Sequence, residues 1–209
     1  MIWLALTMAA CVVGLLVAVR TERTWLEWLT KSAAAACFLA VALHEGALGA
    51  RWGQVLFAGL VLAACGDLLL IPKSKSSFLL GLVAFLLGHV LYAIAFAVRG
   101  ARLDAVACVG VLAAVVAIPV LRWLWPHVER PMRGPVAAYV AVITTMVALA
   151  AGTFWHEPGG RIAIGAVAFY LSDLSVARDR FVAKSFVNKA WGLPLYFGAQ
   201  LLLAWSVSQ

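Results

Sequence analysis

The chain has 209 residues, of which 65% are hydrophobic and 12% are charged, and its formal net charge is +7. A soluble domain has about a quarter of its residues charged, so this composition, with a mean hydropathy of +1.01, excludes an ordinary soluble protein. The basic excess does not indicate nucleic-acid binding, because the Lys and Arg residues lie mostly in short loops between apolar segments, as they do in membrane proteins.

Eight apolar segments divide the chain, and each is close to the roughly 20 residues that a helix needs to cross the hydrocarbon core. They predict transmembrane helices over residues 2–19, 28–43, 52–71, 78–98, 103–125, 136–152, 161–176 and 187–207. No connection between them is long enough for a soluble domain. We therefore predict an all-α polytopic membrane helix bundle that forms a single transmembrane domain over residues 1–209.

The distribution of basic residues predicts the orientation of the bundle. The first, third, fifth and seventh loops and their borders hold 12 of the 16 Lys and Arg residues. Because basic loops stay on the cytoplasmic side, both termini are predicted on the non-cytoplasmic side, and a bacterial inner membrane is the expected location. We predict no nucleic-acid partner, and the sequence leaves the oligomeric state open.

The third and seventh predicted helices contain a matching pattern. Gly59 and Asp67 have the same spacing as Gly165 and Asp173, and a basic loop follows each pair. The match predicts two parallel four-helix repeats, over residues 1–100 and 101–209, related by an axis along the membrane normal. Asp67 and Asp173 would then be equivalent positions towards the cytoplasmic side.

Asp67 and Asp173 are the first candidates for chemistry, because hydrocarbon offers an ionisable side chain neither water nor a partner. Each follows a small residue, Gly66 or Ser172, and small residues let helices approach closely. If both carboxyls face one poorly solvated pocket, their repulsion favours one neutral acid beside one carboxylate, an arrangement that suits acid–base hydrolysis. Alternatively, each is solvated at the boundary or pairs with a nearby basic residue, Lys73 or Arg178.

His89 and Tyr92 lie three residues apart in the fourth predicted helix, on one face with Gly81, Phe85 and Phe96. His89 could relay a proton or donate a hydrogen bond to a substrate. Alternatively, it is a neutral histidine whose ring nitrogens bond to a neighbouring helix.

The last predicted helix carries a polar stripe, which must face the interior of the bundle. Its members are Ser185, Lys189, Gly192, Tyr196 and Gln200, with Asn188 beside them. Such residues line a site or join helices by hydrogen bonds. Lys189, and Lys31 near the start of the second helix, are candidate contacts for a lipid phosphate, unless they extend to the membrane surface.

We predict no metal and no cofactor. The pairs His44-Glu45 and His156-Glu157 lack the second histidine of a zinc protease motif. A metal triad of His89 with the two aspartates is a weaker alternative.

Four motifs follow one another over nearly the whole chain. They are Gly66-Asp67-Leu68-Leu69, then Phe78-x2-Gly81-x3-Phe85-x3-His89-x2-Tyr92, then Gly165-x3-Phe169-x2-Ser172-Asp173, and a final helix with Asn188, Tyr196 and Gln200. As a set they resemble the YhhN family of membrane proteins, which includes lysoplasmalogenases. The resemblance implies hydrolysis of the vinyl ether bond of lysoplasmalogens to a fatty aldehyde and glycerophosphoethanolamine or glycerophosphocholine.

The resemblance also implies roles for individual residues. The expected catalytic residues are Asp67, His89 and Asp173. By resemblance, Tyr92, Asn188 and Tyr196 line the site. Adding the polar residues described above gives the expected substrate-binding set, which is Lys31, Tyr92, Ser172, Asn188, Lys189, Tyr196 and Gln200. The family's lysine that Lys31 matches is usually followed by proline, whereas this chain has Ser32.

Vinyl ether hydrolysis needs a group that protonates the β-carbon and a carboxylate that stabilises the resulting oxocarbenium ion. Our hypothesis is that Asp173 is the acid, that Asp67 activates water and that His89 relays the proton; the residue pattern alone does not decide between the two aspartates. The lysophospholipid is expected to enter sideways from the cytoplasmic leaflet. The alternatives are a proton-coupled transporter of small solutes or lipids, a metal-dependent lipid amidase or esterase, and, least favoured, a structural membrane protein.

Overall fold

The computed structural model describes residues 2–72, 74–154 and 160–208. Within these residues the chain forms eight α-helices and no strands. They are α1 (Ile2–Arg20), α2 (Thr24–His44), α3 (Arg51–Leu69), α4 (Lys75–Arg99), α5 (Leu103–Leu124), α6 (Arg130–Gly152), α7 (Arg161–Ala177) and α8 (Phe186–Trp205). The predicted all-α polytopic bundle is confirmed.

Seven of the described helices are long and apolar enough to cross a membrane. The exception is α7, which has 17 residues and continues directly into a π-helical turn, Arg178–Val182. The second helix begins at Thr24, four residues before the predicted start. Lys31 therefore lies two turns inside α2, so the prediction that placed it near the start of the second helix was wrong.

Helices that are adjacent in sequence pack as pairs, α1 with α2, α3 with α4, α5 with α6 and α7 with α8. The last helix, α8, also contacts α1, α2 and α3, and α6 contacts α4 and α7. By contrast, α5 packs mainly on α6 and leaves most of its apolar residues exposed, as expected for a helix that faces lipid. The two four-helix repeats stay a prediction.

Glycines let α3 and α4 approach closely. A Cβ atom on Gly59 would come within 2.6 Å of the Tyr92 ring, and one on Gly66 would come within 2.8 Å of the Phe85 ring. The polar face of α4 is thereby held against the end of α3 that carries Asp67. The predicted shared face of α4 is confirmed, because its members from Gly81 to Phe96 are all buried.

Aromatic rings fill the space between α4, α7 and α8. The centroid of the Tyr196 ring lies 5.7 Å from that of Phe85 and 5.2 Å from that of Phe169, both in edge-to-face geometry. Such pairs stabilise a packed core beyond the area that they bury. This cluster fixes the three helices that carry most of the polar residues predicted for the site.

Candidate active site

A cavity of about 600 Å³ lies among the helices, at the end of the bundle where the α1–α2, α3–α4 and α7–α8 connections meet. Its polar wall includes Lys31, Asp67, Tyr139, Ser172, Asp173, Lys189 and Tyr196. Its apolar wall includes Leu82, Phe85, Val120, Leu124, Val140 and Ile143. Asp67 and Asp173, from α3 and α7, thus line one cavity that also contains many apolar side chains.

Asp67 forms a buried ion pair that the sequence analysis did not anticipate. The Lys31 ammonium lies 3.2 Å from Asp67 Oδ1 and donates a hydrogen bond of 3.0 Å to the backbone carbonyl of Asp67. Tyr196 OH donates to Oδ2 at 2.6 Å. Both carboxylate oxygens therefore have a donor, as a buried carboxylate requires. Lys31 is only 6% exposed, so its ammonium does not extend to the protein surface, and it lines the cavity instead. Its contact with a lipid phosphate stays a prediction.

Two further predicted residues orient Tyr196. Gln200 donates to the Tyr196 hydroxyl at 3.1 Å and accepts from Tyr92 OH at 2.8 Å. Gln200 and Tyr92 are fully buried and lie outside the cavity wall. They form a hydrogen-bonded chain behind Tyr196, which points that hydroxyl at Asp67.

Asp173 has a second and separate set of partners. Tyr139 OH, from α6, donates to Asp173 Oδ2 at 3.0 Å, and His89 Nε2 lies 3.5 Å from the same oxygen. The other ring nitrogen of His89, Nδ1, lies 2.7 Å from the Phe85 carbonyl oxygen. His89 is 1% exposed and absent from the cavity wall, whereas Asp173 lines it. His89 therefore reaches the cavity only through Asp173.

Tyr139 was missed by the sequence analysis. It is a single tyrosine in an apolar helix, and a phenol in that position usually has a polar partner. That signal does not identify the partner, because the rotation of α6 about its axis decides which helix the hydroxyl faces.

The remaining predicted residues lie around the α7–α8 connection. Ser172 lines the cavity but donates its hydroxyl to the Phe169 carbonyl at 2.8 Å. Asn188 is fully buried and bonds to the side chains of Arg178 and Asp179 and to the backbone of Ala183. Asn188 therefore fastens the connection and lies outside the cavity wall.

Lys189 lies at the mouth of the cavity, with its ammonium 3.1 Å from Asp179 Oδ2. Burial alone would raise the pKa of Asp179, but Lys189, the Ser185 amide and Asn188 together hold that pKa below its usual value. The carboxylate is thus an ionised anchor for the start of α8.

Two other candidates lie elsewhere in the described part of the chain. His44 and Glu45 approach each other within 3.5 Å outside the cavity wall. His156 and Glu157, and Lys73 in the α3–α4 loop, lie outside the described residues. Within the described ranges, no group of three or more His, Cys, Asp or Glu side chains is placed to hold a metal ion.

Comparison with known proteins gives a consistent set of relatives. The sequence model of the YhhN family matches residues 26–207. Lysoplasmalogenase TMEM86A of Bos taurus is 30% identical over 207 residues, covering 95% of this chain and 85% of that protein. Lysoplasmalogenase TMEM86B of Mus musculus is 30% identical over 203 residues, covering 96% and 84%. Lysoplasmalogenase of Mycobacterium bovis is 35% identical over 167 residues, covering 73% and 59%. No solved structure matches the chain.

Proposed function

Because this chain belongs to the YhhN family, we propose that it is a lysoplasmalogenase, an integral membrane hydrolase that cleaves the vinyl ether bond of a lysophospholipid. The products are a fatty aldehyde and glycerophosphoethanolamine or glycerophosphocholine. The observation that carries the proposal is that two carboxyl groups with different partners line one cavity that also has an apolar wall. Relatives that match most of the chain are lysoplasmalogenases.

The partners of the two aspartates support different roles for them. Asp67 lies against the Lys31 ammonium, and an adjacent opposite charge favours the ionised carboxylate. Asp173 lies against a phenol and an imidazole, and no Lys or Arg side chain contacts it within the described residues. Asp173 is therefore the proton donor, and Asp67 carries the fixed negative charge. Two carboxyl groups kept in different protonation states suit acid-catalysed hydrolysis.

The reaction begins when Asp173 donates its proton to the β-carbon of the vinyl ether. The π electrons form the new C–H bond, and positive charge develops on the adjacent carbon and the ether oxygen. The negative charge of Asp67 stabilises that positive charge. Water then attacks the carbon of the oxocarbenium ion and returns a proton to Asp173. The resulting hemiacetal breaks down to the aldehyde and the glycerol hydroxyl.

This assignment differs from the sequence hypothesis in the residue that activates water. Both oxygens of Asp67 accept hydrogen bonds or an ion pair, and its side chain is 3% exposed. The Asp173 side chain is 19% exposed and borders the cavity. Asp173 therefore serves first as acid and then as base, as one carboxyl group does in retaining glycosidases. His89 lies behind Asp173, with Nε2 3.5 Å from Oδ2, and its role as a proton relay stays a prediction.

The substrate lies with its alkenyl chain against the apolar wall and its phosphate at the mouth, near Lys189 and the basic residues of the α7–α8 connection. It enters sideways from the cytoplasmic leaflet, and both termini lie on the opposite side of the membrane. The support for this orientation is the excess of basic residues at the end of the bundle where the cavity lies.

The test is aldehyde release by the purified protein in detergent. Lysoplasmenylethanolamine should yield aldehyde, and an ester-linked lysophospholipid should not be cleaved. Asp173→Asn should lower kcat by about 10²- to 10⁴-fold, the usual contribution of a positioned acid. Turnover by solubilised protein also separates an enzyme from a transporter, which needs a closed membrane. Near wild-type turnover by Asp173→Asn would contradict the assigned mechanism.

A further inference from the structure

The two carboxyl oxygens of Asp173 have different surroundings. Oδ2 accepts the hydrogen bond from Tyr139 OH and lies 3.5 Å from His89 Nε2. Oδ1 accepts no hydrogen bond from the described part of the chain. It is also not among the fully buried side-chain atoms that lack a hydrogen-bond partner. Since Asp173 borders the cavity, Oδ1 is the oxygen that a substrate can approach.

The surroundings of His89 restrict where the proton of Asp173 can lie. The Phe85 carbonyl can only accept a hydrogen bond, so His89 Nδ1 carries the hydrogen and Nε2 of the neutral ring has only a lone pair. The 3.5 Å between Nε2 and Oδ2 is longer than an O–H···N hydrogen bond. The proton is therefore not held between these two atoms. Oδ2 already serves as the acceptor for Tyr139, which leaves Oδ1 as the protonated oxygen.

We propose that Tyr139 is a positioning residue that directs the acidic proton of Asp173 to Oδ1 and stabilises the carboxylate that forms when the proton leaves. The inference rests on the proposed vinyl ether hydrolysis. As the Oδ1–H bond breaks and the C–H bond forms, negative charge spreads over both oxygens of Asp173. The hydrogen bond from Tyr139 then becomes charge-assisted, and such bonds are about twice as strong as neutral ones.

This timing predicts which kinetic constant depends on Tyr139. An interaction that strengthens only in the transition state lowers the barrier without tightening substrate binding. The loss of the hydroxyl should therefore appear in kcat and leave KM nearly unchanged. A purely structural role is the competing explanation, because Tyr139 also packs its ring 5.3 Å from that of His89 and so joins α6 to α4.

Tyr139→Phe keeps the ring and removes only the hydroxyl. We expect kcat for lysoplasmenylethanolamine to fall about 10- to 100-fold, the effect of removing a hydrogen bond to a charged group. KM should stay within about twofold. Thr145→Val is the matched control, because Thr145 is an exposed residue of the same helix and its hydroxyl donates to the Ala141 carbonyl of its own turn. That variant should keep wild-type kcat.

A double-mutant cycle separates positioning from structure. If Tyr139 acts through Asp173, adding Tyr139→Phe to Asp173→Asn should not lower the residual rate further, since the two residues act as one unit. The inference is overturned if Tyr139→Phe keeps wild-type kcat, if it raises KM alone, or if it lowers the rate equally in both backgrounds. It is also overturned if Thr145→Val loses as much activity. A wild-type protein that releases no aldehyde would instead refute the proposed hydrolysis, and the role of Tyr139 with it.

Discussion

At the residue scale, the buried pair of Lys31 and Asp67 is the feature with the clearest energetic consequence. Both side chains are removed from solvent, with exposures of 7% and 3%. A buried ion pair adds little stability over a well-packed apolar pair, but removing one partner leaves an uncompensated charge. Each residue therefore depends on the other for its burial.

The change Lys31→Met tests this dependence. We expect a loss of about 3–5 kcal/mol in the free energy of unfolding, because Asp67 would stay buried without a cation. Adding Asp67→Leu should restore most of that stability without restoring aldehyde release. Thermal unfolding in detergent and the aldehyde assay measure the two effects. Lys75→Met, at the exposed start of α4, is the control, and an equal loss in that variant would contradict the explanation.

The sequence could predict part of the site at this scale, for a physical reason. The sequence identifies Asp67, His89 and Asp173 as candidate site residues, because ionisable side chains in apolar helices need partners. The sequence does not identify the partners of these residues. Lys31 is 36 residues from Asp67, and only the rotation and depth of α2 bring the two together. Tyr139 was missed for the same reason, because nothing in an apolar helix specifies which neighbour a single hydroxyl faces.

At the element scale, the close contact of α3 with α4 determines the shape of the site. Phe85 is central to this contact, since its ring packs on Gly66 and Tyr196 and its carbonyl holds His89 Nδ1. The sequence predicted both helices and the buried face of α4, because spacings of three and four residues bring side chains to one face. It did not predict the early start of α2, because Trp25 and Trp28 can lie in a helix or at its border.

The change Gly66→Ala should disturb both aspartate clusters at once. Its Cβ would lie 2.8 Å from the Phe85 ring, and such overpacking costs about 1–3 kcal/mol. We expect a lower unfolding temperature and a lower kcat, because a displaced Phe85 shifts His89 and Tyr196. Gly198→Ala is the matched control, since an added Cβ there meets no atom within 4 Å. If both variants behave alike, the contact does not control the site.

At the scale of the whole molecule, each aspartate cluster takes residues from both halves of the chain. Asp67 from α3 accepts its hydrogen bond from Tyr196 of α8, and His89 from α4 faces Asp173 of α7. Neither half contains a complete cluster. The number and order of the helices followed from apolar segment length, but this exchange of partners between halves depends on how the helices pack.

A chain divided between α4 and α5 tests this arrangement. Fragments 1–100 and 101–209 should each be inactive alone and should release aldehyde when they are produced together, because membrane helices can insert first and associate afterwards. Aldehyde release by membranes that contain one or both fragments is the measurement. Activity of a single fragment would show that one cluster is sufficient. A pair of fragments that carries Asp173→Asn controls for background hydrolysis.

The central position of α8 has a consequence for biosynthesis. Among the direct partners of the two aspartates described above, Tyr196 is the last to be synthesised, 129 residues after Asp67. Until α8 docks, Asp67 lacks the hydroxyl that donates to its Oδ2. A translation product that ends before α8 is therefore expected to hold Asp67 with an incomplete set of donors, and to leave the lipids into which it is inserted uncleaved.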